Sequence, residues 1–334
     1  TRWVKYANSL MLRLAMRLRE ARDAEMQSWS KEYAKKALTH DIGVMTEVQD
    51  AAAAGTGAGI SLRNPLFWIS DNYNDARVGT TILSYLTGYN DPRLSAYCLP
   101  VHAECTVGVT AFDGKKYQGV PLGHTETRTD DKSWYKDSYY FYSKPNLTAN
   151  SPLYWMRTSE VLFLRAEAAL YYGAEFGDAE ALYKAGIAMS FAENGVQGSV
   201  DSYMNSGKTP SAVENSSRYY GYPSPAPCET TAKFSGSTEQ KLEKIMIQKY
   251  IAMFPNGQEA WTEFRRTGYP KLNPIIPGGN YNKSNISDER GIRRMIYPVS
   301  FKSTEATWDL YQDAVQKLGG PDKESTDLIW AKQN

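Results

Sequence analysis

The stretch 242–270, LEKIMIQKYIAMFPNGQEAWTEFRRTGYP, describes two helices and the corner between them. Ser237 and Gln240 stand in the spacing of a capping box, in which each side chain serves the other residue's backbone N–H. Leu242, Ile245, Met246, Ile247, Ile251, Ala252 and Met253 then recur at helical spacing over a broad face. Pro255 biases Phe254 away from the helical region and ends that helix. Asn256 is placed to cap a second helix, with Glu259 three residues on to complete another box. This helix is expected to carry Ala260, Trp261 and Phe264 inward. It sets Arg265 and Arg266 in its last turn, where the dipole favours cations, and stops at Gly268 with Pro270 beyond. Such a hairpin cannot bury its apolar face alone and requires neighbours of the same kind.

The sequence supplies them. Trp3, Tyr6, Ala7, Leu10, Met11, Leu14, Ala15 and Leu18 follow a helical period, with Lys5, Arg13 and Arg17 on the other side as a solvated face expected to pair with acidic neighbours. A second helix near 29–38 folds back on it. Residues 158–173 and 178–194 predict a further hairpin, with Val161, Leu164 and Ala168 facing Leu182, Ala185 and Met189. Ala166 and Ala169 allow close backbone approach, and Gly195 ends the pair. Asn74 or a near neighbour caps a helix carrying Val78, Ile82, Tyr85 and Leu86, which Gly88 ends, and Trp308, Tyr311, Val315 and Leu318 mark a last one. Helix pairs separated by loops suggest tetratricopeptide-like units, although no regular 34-residue period is present, so the repeats are degenerate.

The intervening segments are loop-rich. Residues 51–59, AAAAGTGAG, lack both the preceding strand and the following lysine of a phosphate loop and read as a low-complexity surface loop. Asn64 to Asn74 is a loop dense in Pro, Trp, Tyr, Asn and Asp, and residues 91–150 lose the helical period but are rich in Trp and Tyr. Residues 195–236 form an insertion with a Tyr219-Tyr220-Gly221-Tyr222 cluster, and 271–303 are irregular.

With 38 basic and 37 acidic residues, charge gives no reason to expect nucleic acid or an anionic surface as partner. No apolar run is long enough to cross a bilayer as a helix. The 24 Tyr and 8 Trp outnumber the 10 Phe, so the aromatic excess lies in rings with a polar handle.

Several stretches, in order, resemble the SusD/RagB family of outer-membrane nutrient-binding lipoproteins: WVKYANSLMLRLAMRLRE at 3–20, NPLFWISDNYNDARVG at 64–79, NDPRLSAY at 90–97, YWMRTSEVLFLRAEAALYYG at 154–173, QKYIA with FPNGQEAWTEFRRTGYP at 248–270, and RRMIYPVS at 293–300. The resemblance implies a mostly α, SusD-like fold of degenerate tetratricopeptide-like helix pairs plus a large irregular part. It would be one domain over 1–334, with a scaffold at about 3–40, 74–88, 157–194, 238–268 and 304–318, and a binding part at about 41–73, 89–156, 195–236 and 269–303. The resemblance further implies a non-enzymatic binding protein without cofactor at the extracellular face of the bacterial outer membrane. Its partner would be a SusC-like TonB-dependent transporter, and its cargo an oligosaccharide or, as in some relatives, a peptide. The chain begins at Thr1 directly before a helix, so it reads as a fragment. Family members carry an export signal, an acylated cysteine and further helices upstream.

Chemistry is sparse by comparison. His40, His102 and His124 lie far apart, and no HExxH, GxSxG or Walker lysine occurs. Cys98, His102, Cys105 and His124 lack standard metal spacing, a Cys98–Cys105 disulfide that leaves Cys228 free and three buried free thiols fit the spacing equally, and Asp71, Asn72, Asn74 and Asp75 suit helix capping better than calcium. A protein-binding helical scaffold and a glycoside hydrolase stay open as other classes; the second needs a carboxylate pair that spacing does not select. Aromatic loops carry more. Sugar rings stack their C–H faces on Trp and Tyr while Asn, Asp, Arg and Lys bond the hydroxyls, and Trp68 with Tyr73, Trp134 with Tyr135, and Tyr219 with Tyr220 have such companions. These are the expected ligand-binding residues.

Overall fold

The computed structural model describes residues 1–55, 61–101, 110–112, 115–122, 142–213, 224–274 and 291–331. Along the chain come α1 (Arg2–Leu18), α2 (Ala24–Leu38), β1 (Ala52–Ala54), α3 (Pro65–Phe67), α4 (Thr80–Gly88), α5 (Leu94–Tyr97), β2 (Thr110–Phe112) and β3 (Lys115–Tyr117). Then follow β4 (Leu153–Met156), α6 (Thr158–Tyr172), α7 (Ala179–Glu193), α8 (Val200–Met204), α9 (Thr238–Ala252), α10 (Gly257–Thr267), α11 (Val299–Lys302) and α12 (Glu305–Leu318). The strands form only two small antiparallel pairs, β1 with β4 and β2 with β3.

Helix α6 is the centre. It is buried on nearly every side, so its sequence shows apolar and small residues all round rather than one stripe. One face, with Phe163 and Ala166, joins Tyr85, Tyr183, Ile187, Ile245 and Ile251 in a core shared by α4, α7 and α9. The opposite face, with Val161, Leu164 and Ala168, joins Leu12, Met16, Ala34 and Met45 in a second core under α1 and α2. The predicted pairing inside the α6–α7 hairpin therefore needs correction. Leu182 does pack against the core of Val161, Leu164 and Ala168, but that face turns chiefly to α1 and α2, Ala185 and Met189 are half-buried, and α7 inserts Tyr183, Gly186 and Ile187 against Phe163. Gly186 is the point of closest approach, since a Cβ there would lie 2.7 Å from the Phe163 ring.

Buried charges are the feature that helical periodicity concealed. Arg13 of α1 makes a two-pronged contact with Glu160 of α6, at 2.8 and 2.6 Å. Arg266 of α10 donates to both oxygens of Glu167, at 2.7 and 2.8 Å, and to Glu263 at 2.6 Å. Arg19 reaches Glu167 at 2.9 Å, Lys249 stands 3.5 Å from Glu263, and Arg17 pairs with Glu259. Burial pushes the Glu167 and Glu263 carboxyls up, but Arg266 with the neighbouring cations outweighs it, and both sit below the usual carboxylate range. The stripe of Lys5, Arg13 and Arg17 thus pairs with acidic neighbours as expected, yet Arg13 is buried rather than solvated. On the other flank of α9, Gln248 accepts from Arg93 and donates to Tyr203, while Arg93 clamps Asp91 at 2.9 and 2.6 Å. Consecutive residues Gln248 and Lys249 thereby enter two different polar networks.

Most element ends follow the expected chemistry. Ser237 and Gln240 form their capping box, and Gly268 takes the left-handed conformation after α10. Asn256 does cap α10, accepting from the Glu259 N–H at 3.3 Å, but Glu259 does not return the bond. The Asn256 N–H instead donates to Met253 and the Glu259 carboxylate turns to Arg17. Trp261 is half-buried, its indole N–H on the Ile292 carbonyl and the Arg265 guanidinium 3.7 Å above its ring.

Several segments read as loops carry order. Residues 52–54 of the alanine run form β1 against β4, which supplies the backbone partners that propensity could not foresee. Asn64 to Asn72 is helical rather than a loop: Asn64 caps α3 with Pro65 in its first turn, and a π-helical turn, Trp68–Asn72, follows. Asn74 is not a cap. It has a φ of 57°, its side chain takes a bond from Arg77 at 3.2 Å, and α4 begins only at Thr80. The short α5, α8 and α11 and the β2–β3 hairpin lie inside segments read as irregular.

Candidate functional site

The first candidate surface is built by the α3 turn. The Asn64 carboxamide accepts from the N–H groups of Leu66 and Phe67 at 3.0 and 3.2 Å and donates to the Ser151 carbonyl at 3.1 Å, which pins the turn to the segment before β4. The wider π turn lets the Tyr73 N–H reach back to the Trp68 carbonyl, five residues earlier. Trp68 and Tyr73 meet edge to face, centroids 6.3 Å apart and planes at 74°. Tyr73 is 62% exposed, the Arg63 guanidinium stands 5.7 Å from the Trp68 ring, and Asp71 pairs with Lys144 at 3.0 Å. An exposed ring beside anchored charged groups is a surface suited to a sugar face and its hydroxyls. The structure thus brings Trp68 and Tyr73 together. Trp134, Tyr135, Tyr219 and Tyr220 lie outside the described residues, as do His102, Cys105 and His124.

A larger feature was missed. A cleft of about 780 Å³ opens where α1, β4 and the α9–α10 corner meet, a volume within the usual range of small-ligand sites. Tyr6, Tyr154 and Trp155 give it aromatic walls, and Asn146, Arg157 and Asn194 supply polar groups. Trp155 is 44% exposed and 6.5 Å from Tyr6, whose other neighbour, Trp3 at 6.1 Å, continues the aromatic ledge outward. Glu193 also lines the cleft. Burial pushes its carboxyl up, against the opposing pull of its bonds from Ser159 and the charge of Arg157. The signal was present in the sequence as the adjacent pair Tyr154-Trp155 between Pro152 and Arg157.

No metal centre is evident among the described residues, where no three His, Cys, Asp or Glu side chains converge. Of the cysteine and histidine set only Cys98 is described, and burial in the α4–α9 core pushes its thiol pKa up. Asp71 and Asn74 are engaged by Lys144 and Arg77. Among the described residues, no helix is long and apolar enough to cross a membrane.

A helical scaffold of degenerate hairpins that presents aromatic, hydrogen-bonding surfaces defines a class of binding protein. Residues 1–331 match the family model for SusD-like proteins, described as the SusD and RagB outer membrane lipoproteins, and the chain belongs to this family of the outer membrane. Among solved structures it is similar to a SusD homologue from Bacteroides thetaiotaomicron (33% identity, TM-score 0.82), covering 100% of this chain and 66% of that one. A homologue from Bacteroides uniformis gives 34% and 0.82, with 99% and 65% covered. A chitin-binding SusD homologue from Flavobacterium johnsoniae gives 34% and 0.80, with 98% and 63% covered. The chain therefore spans just under two thirds of the length of these relatives. No curated protein matches it.

Proposed function

We propose that the protein is a non-catalytic glycan-binding component of the outer-membrane surface, capturing oligosaccharides for import through a SusC-like TonB-dependent transporter. The observation that carries this reading is the Trp68–Tyr73 pair, an exposed aromatic corner flanked by Arg63, Asp71 and Lys144 on a pinned turn. Family membership and a chitin-binding relative at 34% identity support it. Trp134, Tyr135, Tyr219 and Tyr220 are proposed as further ligand-binding residues on the ground of their sequence alone. Lipid anchorage, and the transporter as partner, follow the family.

Isothermal titration against a panel of oligosaccharides and a panel of short peptides tests the reading. Saturable glycan binding, weakened about fivefold or more by Trp68→Ala without loss of folding, is expected, since an aromatic anchor residue contributes over about 1 kcal/mol. Saturation by peptides alone would replace the glycan with a peptide cargo. Turnover of any glycan would overturn the non-catalytic assignment.

A further inference from the structure

Arg157 presents a problem that the scaffold does not solve. Its side chain lies at the junction of β4 and α6, where the residue is 8% exposed, and its guanidinium stacks 3.8 Å from the Tyr154 centroid. Yet Nη1 is buried without a hydrogen-bond acceptor. The other buried arginines described above, Arg13, Arg93 and Arg266, each clamp a carboxylate with two or more bonds. A guanidinium is donor-only, and a buried donor left unmade costs about 1–3 kcal/mol, more when charged. Arg157 lines the cleft, so the missing acceptor has room to come from a ligand.

Asn194, on the same wall, offers the opposite polarity. Both hydrogens of its Nδ2 are engaged, one by the Tyr97 hydroxyl at 3.1 Å and one by the Ser190 carbonyl at 2.7 Å. That leaves Oδ1, which takes no bond among the described residues, as the acceptor of a residue that lines the cleft. Charge argues against an anion. The charged side chains lining the cleft are Arg13, Arg157, Glu193 and Glu259, two cations against two carboxylates, and Arg13 is already clamped by Glu160. Among neutral groups, a secondary amide can accept from Arg157 through its carbonyl and donate to Asn194 through its N–H, from two separate atoms. Leu66, Leu147 and Met253 add apolar surface for a methyl, and the exposed Trp155 ring offers a face for a sugar.

Resting on the glycan-binding reading, we propose that this cleft is a second saccharide site, separate from the Trp68–Tyr73 corner, and that it selects N-acetylated sugars by receiving the acetamido carbonyl on Arg157 and its N–H on Asn194. Trp155 supplies the stacking face.

The test titrates the protein with N-acetylglucosamine oligomers, their deacetylated counterparts, glucose oligomers of the same linkage and a short alanine peptide. Acetylated oligomers are expected to bind at least about tenfold more tightly than either unacetylated series. Arg157→Gln should remove most of that preference, and Trp155→Ala should weaken acetylated binding by a similar factor. Trp155 is exposed, so its variant reports even where a change at Arg157 disturbs folding, and the ligand comparison needs no variant. Equal affinity for acetylated and unacetylated oligomers overturns the inference while leaving the broader glycan reading intact. Binding of the peptide alone, or of no saccharide, overturns both. Unchanged preference in a folded Arg157→Gln protein overturns the role of Arg157, and is the result expected if a single water in the adjoining recess of about 10 Å³ supplies the acceptor.

Discussion

Arg266→Met removes the charge that joins α1, α6 and α10 while keeping a flexible side chain able to fill part of the space. In the native protein the guanidinium bonds the Glu167 and Glu263 carboxylates at 2.6–2.8 Å and the Met16 carbonyl at 3.2 Å, with Arg266 fully buried. The variant leaves Glu167 with Arg19 at 2.9 Å and Glu263 with Lys249 at 3.5 Å, so each carboxylate keeps one cation and loses its best one. Breaking a buried pair by removing one partner costs about 3–5 kcal/mol. An unfolding entropy of about 2.1 cal/mol/K per residue over this chain gives roughly 0.7 kcal/mol per degree, so the loss should lower Tm by about 4–7 °C. Urea titration should show a lower midpoint at unchanged slope. Lys317→Ala, which breaks the exposed Lys317–Asp313 pair, should leave the midpoint where it is. The effect has a pH signature. Both carboxyls are depressed in the folded state, so their contribution is complete above the unfolded value of about 4.3 and lost only as pH falls through the lower folded values. The gap between native and variant should thus hold from pH 7 to 5 and narrow well below 4. A Tm within 1 °C of the native protein at pH 7 would refute the reasoning and show that packing by Met replaces the ionic network.

Two further outcomes are expected. Gly186→Ala drives a methyl to within 2.7 Å of the Phe163 ring in a closed core, so urea denaturation should show a loss of about 1–3 kcal/mol; an unchanged midpoint would mean that the α6–α7 contact yields freely. Asp322 bonds Lys302, Arg294 and the Tyr297 N–H, which outweigh burial and bring its carboxyl down to about 2 from 3.8. Asp322→Asn should accordingly be less stable than the native protein above pH 4, with the difference closing as pH falls toward 2, and a gap independent of pH would contradict that assignment.

Periodicity found the scaffold because apolar burial leaves a repeating trace. The helices over α1, α6, α7, α9, α10 and α12 were legible from spacing, and their ends from Ser237, Asn256, Gly195 and Gly268. What periodicity hid was contact between distant segments. Glu160 and Glu167 read as polar interruptions of a helix until Arg13 and Arg266 are seen against them. The strand at Ala52–Ala54 depends on β4, a hundred residues on, and alanine alone gives no reason to expect it. The Trp68–Tyr73 pair was legible because both members lie in one short aromatic segment. The cleft was not, since Tyr6, Tyr154, Trp155 and the Asn256 corner come from three separate parts of the chain.

Helix α6 has a core on each side and little face left for solvent. Its backbone amides have no route to water that does not separate one of those cores, and because the same rigid helix serves both, loosening one loosens the other. In hydrogen–deuterium exchange the amides of α6 should be the slowest in the molecule, exchanging only when the whole fold opens, while those of α12, exposed along most of its length, exchange by local fraying. Apart from such fraying, the two cores would then respond to heat as one body, neither opening while the other stays closed.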